Sequence, residues 1–182
     1  MLRKFIIACL KPLSFLPAIL IMYIIFSFSA QNGVESGNLS MKVSVKIVEI
    51  GSKVLDKELS EQEIYQYAEK YHHYVRKMGH MTEYCILAVA LSIPLYVYGV
   101  RGIWLFLTAG LICVVFAGGD EYHQSFVAGR GPSVRDVEID SVGALIGITG
   151  TQIVGWNVVR RMKAIEKKRR RRKERRKRMK MR

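Results

Sequence analysis

The chain has 182 residues, half of them hydrophobic, and a formal net charge of +14. All of that excess lies in residues 160–182, which hold sixteen Lys or Arg and two acids, whereas the rest of the chain has thirteen charges of each sign. This distribution excludes a basic globular protein with its charge spread over the surface. It describes a neutral, apolar domain of ordinary size followed by a basic tail.

Four stretches contain no charged residue, namely 12–34, 84–100, 102–119 and 141–159. A helix needs about 20 mostly apolar residues to cross the ~30 Å hydrocarbon core of a bilayer. The first stretch is long enough alone, and the others suffice if their flanking polar residues lie in the interface. Four helices that are apolar all round would leave a soluble protein too little polar surface. We therefore predict an all-α polytopic membrane protein, a four-transmembrane-helix bundle with spans at about 12–30, 81–100, 102–119 and 139–159.

Basic residues predict the orientation, because Lys and Arg near the ends of spans stay in the cytoplasm. The tail places the C-terminus inside, and Arg3, Lys4 and Lys11 place the N-terminus there too. We expect a membrane domain over 1–159, an outer segment over 31–79 and a cytoplasmic tail over 160–182. A signal peptide cleaved near Ser29 is the alternative for the first span, but the uncharged run is longer than such segments usually are.

The outer segment has a helical pattern, with apolar residues at three- and four-residue steps over 41–78. It predicts amphipathic helices that lie on the outer surface or cover the mouth of the bundle. We expect a turn at 36–38 and interruptions at 51–52 and 59–60. Ser60 followed by Glu63 predicts a capping box that opens a second short helix.

The last predicted span also has local signals. Residues 129–132 predict a turn, after which Ser133 is expected to be the N-cap and Asp136 the acid of its capping box. Gly143 and Gly147 lie four residues apart and predict close helix packing within the bundle rather than dimerisation.

Ionisable residues gather at the outer ends of the predicted spans. Arg76, His80 and Glu83 share one helix face at the start of the second span. Asp120 and Glu121 lie at the end of the third span, followed by His123 and the polar Gln124. Arg130 follows in the loop, Asp136 and Asp140 begin the fourth span, and Gln31 lies at the end of the first. Such groups at membrane depth usually face a bundle interior or a wet cavity. An ion-pair and capping network, a polar pocket and a metal site all remain open.

Four strings in this region resemble the VanZ-like family over about residues 20–150. They are Phe26-Ser27-Phe28-Ser29-Ala30-Gln31, Arg76-Lys77-x-x-His80-x-x-Glu83-Tyr84, Asp120-Glu121-Tyr122-His123-Gln124-Ser125-Phe126-Val127-Ala128-Gly129-Arg130 and Asp136-Val137-Glu138-Ile139-Asp140-x-x-Gly143. The resemblance implies a protein of the bacterial cytoplasmic membrane, linked in the family's namesake to reduced susceptibility to teicoplanin, a lipid-tailed glycopeptide. It supplies no reaction, and relatives often have Asn where this chain has Asp140.

From these residues we expect a polar pocket at the outer face that binds lipid-linked or cell-wall material. Arg76 and Arg130 would hold a phosphate or carboxylate as bidentate donors. The expected ligand-binding set, taken from the resemblance, is Gln31, Arg76, Lys77, Gln124, Arg130, Asp136 and Asp140. The expected partners are membrane lipids, lipid-linked wall precursors or a lipoglycopeptide. Nucleic acid is not expected, because a basic tail beside a span binds anionic lipid at roughly 1 kcal/mol per residue.

Three other interpretations are kept. The protein could be a membrane enzyme that uses His80, Glu83, Asp120 or Glu121 as acid or base on an envelope lipid. A divalent metal, zinc or manganese, could be held by His80, Glu83, His123 and Asp120 or Glu121, although no cofactor is established by the spacing. The third is a non-catalytic assembly protein.

Overall fold

The computed structural model describes residues 12–180, which within that range form five α-helices and no strand. A 3-10 turn at Pro12–Phe15 leads into α1, and the helices are α1 Leu16–Ser29, α2 Gly33–Val54, α3 Glu61–Val97, α4 Ile103–Gln124 and α5 Val134–Lys180. The predicted four-transmembrane-helix architecture is confirmed, because α1 with its leading turn, α3, α4 and α5 are each long and apolar enough to cross a membrane. The basic residues Arg3, Lys4 and Lys11, which predict a cytoplasmic N-terminus, lie outside the described residues.

The helix α3 begins at the predicted capping box. The backbone N–H of Ser60 donates to the Glu63 carboxylate at 2.9 Å, and the Ser60 hydroxyl accepts from the Glu63 backbone N–H. The expectation of a second short helix is wrong, because α3 continues without a break through the predicted second span to Val97. Its 37 residues correspond to roughly 55 Å. Since the hydrocarbon core is ~30 Å thick, the first half of α3 extends beyond the membrane-crossing part.

The helix α2 starts earlier and ends later than predicted. The side chain of Asn32 caps it by accepting from the Glu35 backbone N–H at 2.8 Å. The turn predicted at 36–38 and the interruption at 51–52 are both wrong, because α2 runs through them. A glycine in a helix costs only about 1 kcal/mol, and α2 packs along α3, which offsets that cost.

Glycines let α5 approach α3 closely. A Cβ at Gly143 would collide with the backbone carbonyl of Met81, and one at Gly147 would collide with that of Cys85. The predicted packing of these two glycines within the bundle is therefore confirmed. Large apolar side chains such as Leu87, which has no exposed surface, complete the core beside them.

The bundle has two ends that differ in chemistry. At the polar end, α1 and α4 finish and α5 begins, at Ser29, Gln124 and Val134. At the basic end, α3 finishes and α4 begins; there Gln152 of α5 bonds both backbone groups of Gly102, at 3.1 and 2.9 Å. The helix α5 continues past this end to Lys180, so the last span and the described part of the basic segment form one helix.

Candidate functional site

The polar end contains a cavity of about 180 Å³ between α1, α2, α3 and the loop that precedes α5. Five of the predicted site residues line it: Gln31, Arg76, His80, Glu83 and Arg130. Three serine hydroxyls also line it, and sequence reasoning missed them: Ser29, Ser36 and Ser40. The two serines of α2 face the cavity only because α2 packs on α3, and no local pattern in the sequence could have predicted that placement.

Arg130 is brought to the cavity by a close contact between two backbones. The backbone N–H of Gly33 donates to the Ala128 carbonyl at 3.0 Å, and a Cβ at Gly33 would collide with the backbone of Gly129. Gly129 itself has φ +74°, a left-handed conformation that glycine adopts without steric cost. The start of α2 thus holds the loop in place, with Arg130 directed at the end of α1.

The guanidinium of Arg130 is only partly satisfied. Its Nη2 donates to the carbonyl oxygen of Phe28 at 3.1 Å. Its Nε and Nη1 are buried, and neither has a hydrogen-bond partner among residues 12–180. Burial, followed by the nearby Arg76 guanidinium, lowers the pKa of Arg130, which still leaves it charged at neutral pH because a free arginine titrates above 12. The cavity therefore holds a cation with free donors.

Arg76 and Arg130 are not neutralised by direct pairing. Within the described part of the chain neither forms an ion pair with a carboxylate. The carboxylate that shares their cavity is that of Glu83, which lies 3.9 Å from the His80 Nδ1. Among the residues that line the cavity, two arginines thus face one carboxylate.

Asp120 binds neutral donors rather than an arginine. The Ser29 hydroxyl donates to its Oδ2, and the Gln124 amide donates to the same oxygen at 3.1 Å and to the Ser29 oxygen at 2.8 Å. Asp120 is only 3 % exposed, and its Oδ1 has no hydrogen-bond partner in the structure from residue 12 to residue 180. This three-residue cluster joins the ends of α1 and α4 behind the cavity.

Glu121 has a structural contact that the sequence did not predict. Its Oε2 accepts from the backbone N–H of Ser133 at 2.8 Å, so it occupies the place expected for Asp136 in the capping box. Asp136 instead forms an ion pair with Lys77 of α3. The expectation that Asp136 caps this N–H was wrong because the capping acid comes from another helix across the loop, which a local motif cannot reveal.

The remaining candidates lie apart from the cavity. Asp140 is 2 % exposed and does not line the cavity. His123 packs at a tilt against the ring of Phe26, with centroids 4.3 Å apart, whereas His80 lines the cavity. Among the described residues no three His, Cys, Asp or Glu side chains form a group that could hold a metal ion. The geometry therefore gives the metal hypothesis no support.

A bundle of four membrane-crossing helices with a polar cavity at one end defines a multi-pass integral membrane protein. The chain belongs to the VanZ/LLP1 family, whose profile matches residues 14–155. The match begins in the turn before α1 and ends within α5, ahead of the basic segment, and it confirms the resemblance carried by the four strings. No curated protein and no solved structure is similar enough to be matched.

Proposed function

We propose that the protein binds the phosphate of an envelope lipid headgroup in the cavity at the polar end. The observation that carries this proposal is the pair of buried Arg130 donors, Nε and Nη1, that have no partner within residues 12–180. A buried donor without a partner costs about 1–3 kcal/mol, and more when it is charged. A ligand oxygen that accepts from both donors recovers that cost.

A phosphate fits the cavity in charge, geometry and size. Guanidinium groups bind phosphate with parallel hydrogen bonds, and Arg76 lines the cavity with Arg130. Ser36 also lines the cavity, and its hydroxyl can supply a further donor. At about 180 Å³ the cavity is smaller than the ~300–1,000 Å³ of drug-sized pockets, which favours a small anionic group over a whole saccharide or peptide.

The proposal includes the topology, with both termini in the cytoplasm of a bacterial cell and the polar end facing outward. The basic segment at the end of α5 supports it, because clustered Lys and Arg stay inside and bind anionic lipid there. In a cysteine-free background, Ala128→Cys should react with an impermeant maleimide added to intact cells, and Lys168→Cys should react only after lysis. Reaction of both cysteines in intact cells would contradict this orientation.

At that face the ligand is lipid-linked or cell-wall material, and the protein acts on the envelope by holding it. We extend the proposal to lowered susceptibility to lipoglycopeptides such as teicoplanin, which the family resemblance implies. An anionic lipid held at the outer leaflet is withdrawn from the surface that a lipid-tailed antibiotic must occupy. The link between cavity and susceptibility rests on the two arginines.

The direct test is the melting temperature of the purified protein with dihexanoyl phosphatidylglycerol, a soluble phosphodiester lipid. Saturating ligand at 100 times the dissociation constant stabilises a folded protein by about 2.7 kcal/mol. Wild type should gain melting temperature with this lipid and not with dihexanoyl phosphatidylcholine. The double variant Arg76→Gln/Arg130→Gln should lose the gain.

The matched control removes the same charge from the exposed basic segment. Arg169→Gln/Arg171→Gln should keep the full gain, since neither residue lines the cavity. If Arg169→Gln/Arg171→Gln loses the gain and Arg76→Gln/Arg130→Gln keeps it, the lipid binds the basic segment and the proposal is wrong. Equal losses in both double variants would indicate a general effect of positive charge and would also contradict it. Teicoplanin susceptibility of cells with equal amounts of each variant extends the test to the envelope.

A second candidate function is an enzyme, favoured by His80 and Glu83 lining the same cavity as the arginines. An imidazole and a carboxylate 3.9 Å apart could move a proton at a bound phosphate ester. Mass analysis of lipids incubated with wild type and with Glu83→Gln separates the two functions. A new lipid species formed only by wild type favours the enzyme, and unchanged lipids favour binding alone.

A further inference from the structure

The helix α2 and the first half of α3 form a hairpin that extends beyond the bundle. Residues 55–60 connect the two helices, which pack along each other, and packed neighbours joined by a short connection are antiparallel. From Glu61 to Val75, the first residue of α3 that lines the cavity, the helix axis advances roughly 21 Å. The hairpin therefore projects from the polar end by about that distance.

The two helices of the hairpin contact each other through small side chains. Ser44 of α2 and Ala68 of α3 are both buried. Gly37 and Gly51 lie seven positions before and after Ser44, on the same face of α2, and both are half-buried. This contact leaves the large apolar side chains of the hairpin on its surface.

Four large aliphatic residues form an exposed stripe on α2. Each is at least 45 % exposed, and they follow one another at steps of four, three and four residues: Val43, Ile47, Ile50 and Val54. This spacing keeps them on one face of the helix. Because Val43 directly precedes the buried Ser44, the stripe lies beside the contact with α3 and not opposite to it.

The helix α3 repeats this pattern with larger side chains. The same spacing, with each residue at least 44 % exposed, occurs in Tyr67, Tyr71, Tyr74 and Met78. Tyr67 directly precedes the buried Ala68, as Val43 precedes Ser44. In an antiparallel pair of helices, the residues one position before the contact residues lie on the same side of the pair. The two stripes therefore share one side of the hairpin, which we call the apolar flank.

The apolar flank has the size and composition of a protein interface. If each of its eight side chains loses on the order of 100 Å², about half of what a large aromatic side chain buries, one copy contributes about 800 Å². That is the contribution of each partner to an interface of standard size. Tyrosine and methionine are enriched at interfaces and charged side chains are depleted, and neither stripe contains a charged residue.

Lipid cannot cover the whole apolar flank. The helix α2 starts at the polar end at Gly33, and its axis advances roughly 21 Å to Ile47 and roughly 32 Å to Val54. The interfacial layer of a bilayer adds only roughly 5–8 Å to the hydrocarbon core on each side. The outer part of the aliphatic stripe therefore lies in water unless protein covers it.

We propose that two copies of the chain associate through their apolar flanks, around a two-fold axis along the membrane normal. Both copies cross the bilayer in the same direction, so this is the two-fold axis that relates them. A two-fold interface uses the same patch on both copies. Rotation around this axis places α2 of one copy opposite α3 of the other, so that aliphatic side chains meet tyrosines. Since Val43 also lines the cavity, the interface lies next to the cavity.

Two tyrosines of α3 provide a matched test. Tyr74 and Tyr65 are 66 % and 56 % exposed, and the nine positions between them are two and a half helical turns, so they lie on opposite sides of α3. Tyr74→Glu places a charge in the proposed interface, and Tyr65→Glu places the same charge outside it. Ile50→Glu is a second interface variant, on α2. All three residues are exposed in a single copy, so helix content by circular dichroism should match wild type.

The measurement is the number of chains per particle of the full-length protein, by light scattering in detergent and by single-molecule photobleaching in vesicles. Wild type and Tyr65→Glu should be dimers with the same dissociation constant. Tyr74→Glu and Ile50→Glu should each raise that dissociation constant at least tenfold, because dimerisation would bury a carboxylate among apolar side chains.

A wild type that is a single chain in both media would overturn the proposal. A dimer that both interface variants leave intact would do so too, since its contact would then lie elsewhere. Equal weakening by Tyr65→Glu and Tyr74→Glu would place the contact outside the apolar flank. If wild type is a single chain and a fluorophore on Ile50→Cys is quenched by a quencher attached to lipid, the bilayer surface covers the flank and the second copy does not.

Discussion

The arginines at the two ends of the bundle have different surroundings. At the basic end, Arg101 lies 4.7 Å from the Tyr96 ring centroid and Arg160 lies 4.5 Å from that of Trp156. Trp156 is 58 % exposed, and an arginine on an exposed aromatic ring is typical of anchoring at a membrane interface. At the polar end, Arg130 instead has buried donors without a partner among residues 12–180.

This difference in surroundings distinguishes an arginine that anchors the bundle at the membrane interface from one that can bind a ligand. An interfacial cation reaches water and needs no further partner, so the basic end requires no ligand to explain it. A half-buried cation whose buried donors lack a partner among the described residues keeps a cost that folding alone does not recover. The polar end is also fixed by backbone-to-backbone contacts, at Gly33 with Gly129 and at Gly143 with Met81, which are suited to hold such a group in place.

The largest effect that sharpens this comparison is expected from two glycine substitutions in α5. Gly143→Ala places a Cβ against the Met81 backbone, which cannot rotate away, whereas Gly155→Ala near the basic end meets the side-chain ring of Tyr96. Overpacking costs about 1–3 kcal/mol, and occasionally more. Melting temperature and folded yield in detergent should fall strongly for Gly143→Ala and less for Gly155→Ala.

Gly150→Ala is the control, since its Cβ meets no atom within 4 Å and alanine favours a helix by up to about 1 kcal/mol. It should melt at or above the temperature of wild type. If Gly155→Ala lost more folded protein than Gly143→Ala, the polar end would not be the more rigid of the two.

A smaller effect should distinguish paired from unpaired acids at the polar end. Asp136→Asn breaks the ion pair with Lys77, and a hydrogen bond to a charged group contributes about 1.5–3 kcal/mol. Asp120→Asn keeps an oxygen for Ser29 and Gln124 while removing a buried charge that has no ion pair in the described structure. Melting should be lowered by Asp136→Asn and unchanged or raised by Asp120→Asn, and the reverse order would mean that Asp120 is paired.

The spans could be predicted because bilayer thickness translates directly into the length of a charge-free run. The gathering of Arg76, His80, Glu83 and Arg130 followed from placing those residues at the same end of the spans. The unbroken course of α2 could not be predicted, because its packing along α3 outweighed the glycine and serine signals at 36–38 and 51–52. The capping of Ser133 by Glu121 was missed since the two residues meet only in the folded chain.

The measurement that tests the central claim most directly is an experimental structure of the protein in nanodiscs containing phosphatidylglycerol. The account predicts a lipid phosphate in the cavity, with its oxygens roughly 2.7–2.9 Å from guanidinium nitrogens of both Arg76 and Arg130. A cavity without phosphate, in which the Glu83 or Asp120 carboxylate has turned to pair with Arg130, would contradict it. The polar end would then be an ion-pair network that joins helix ends.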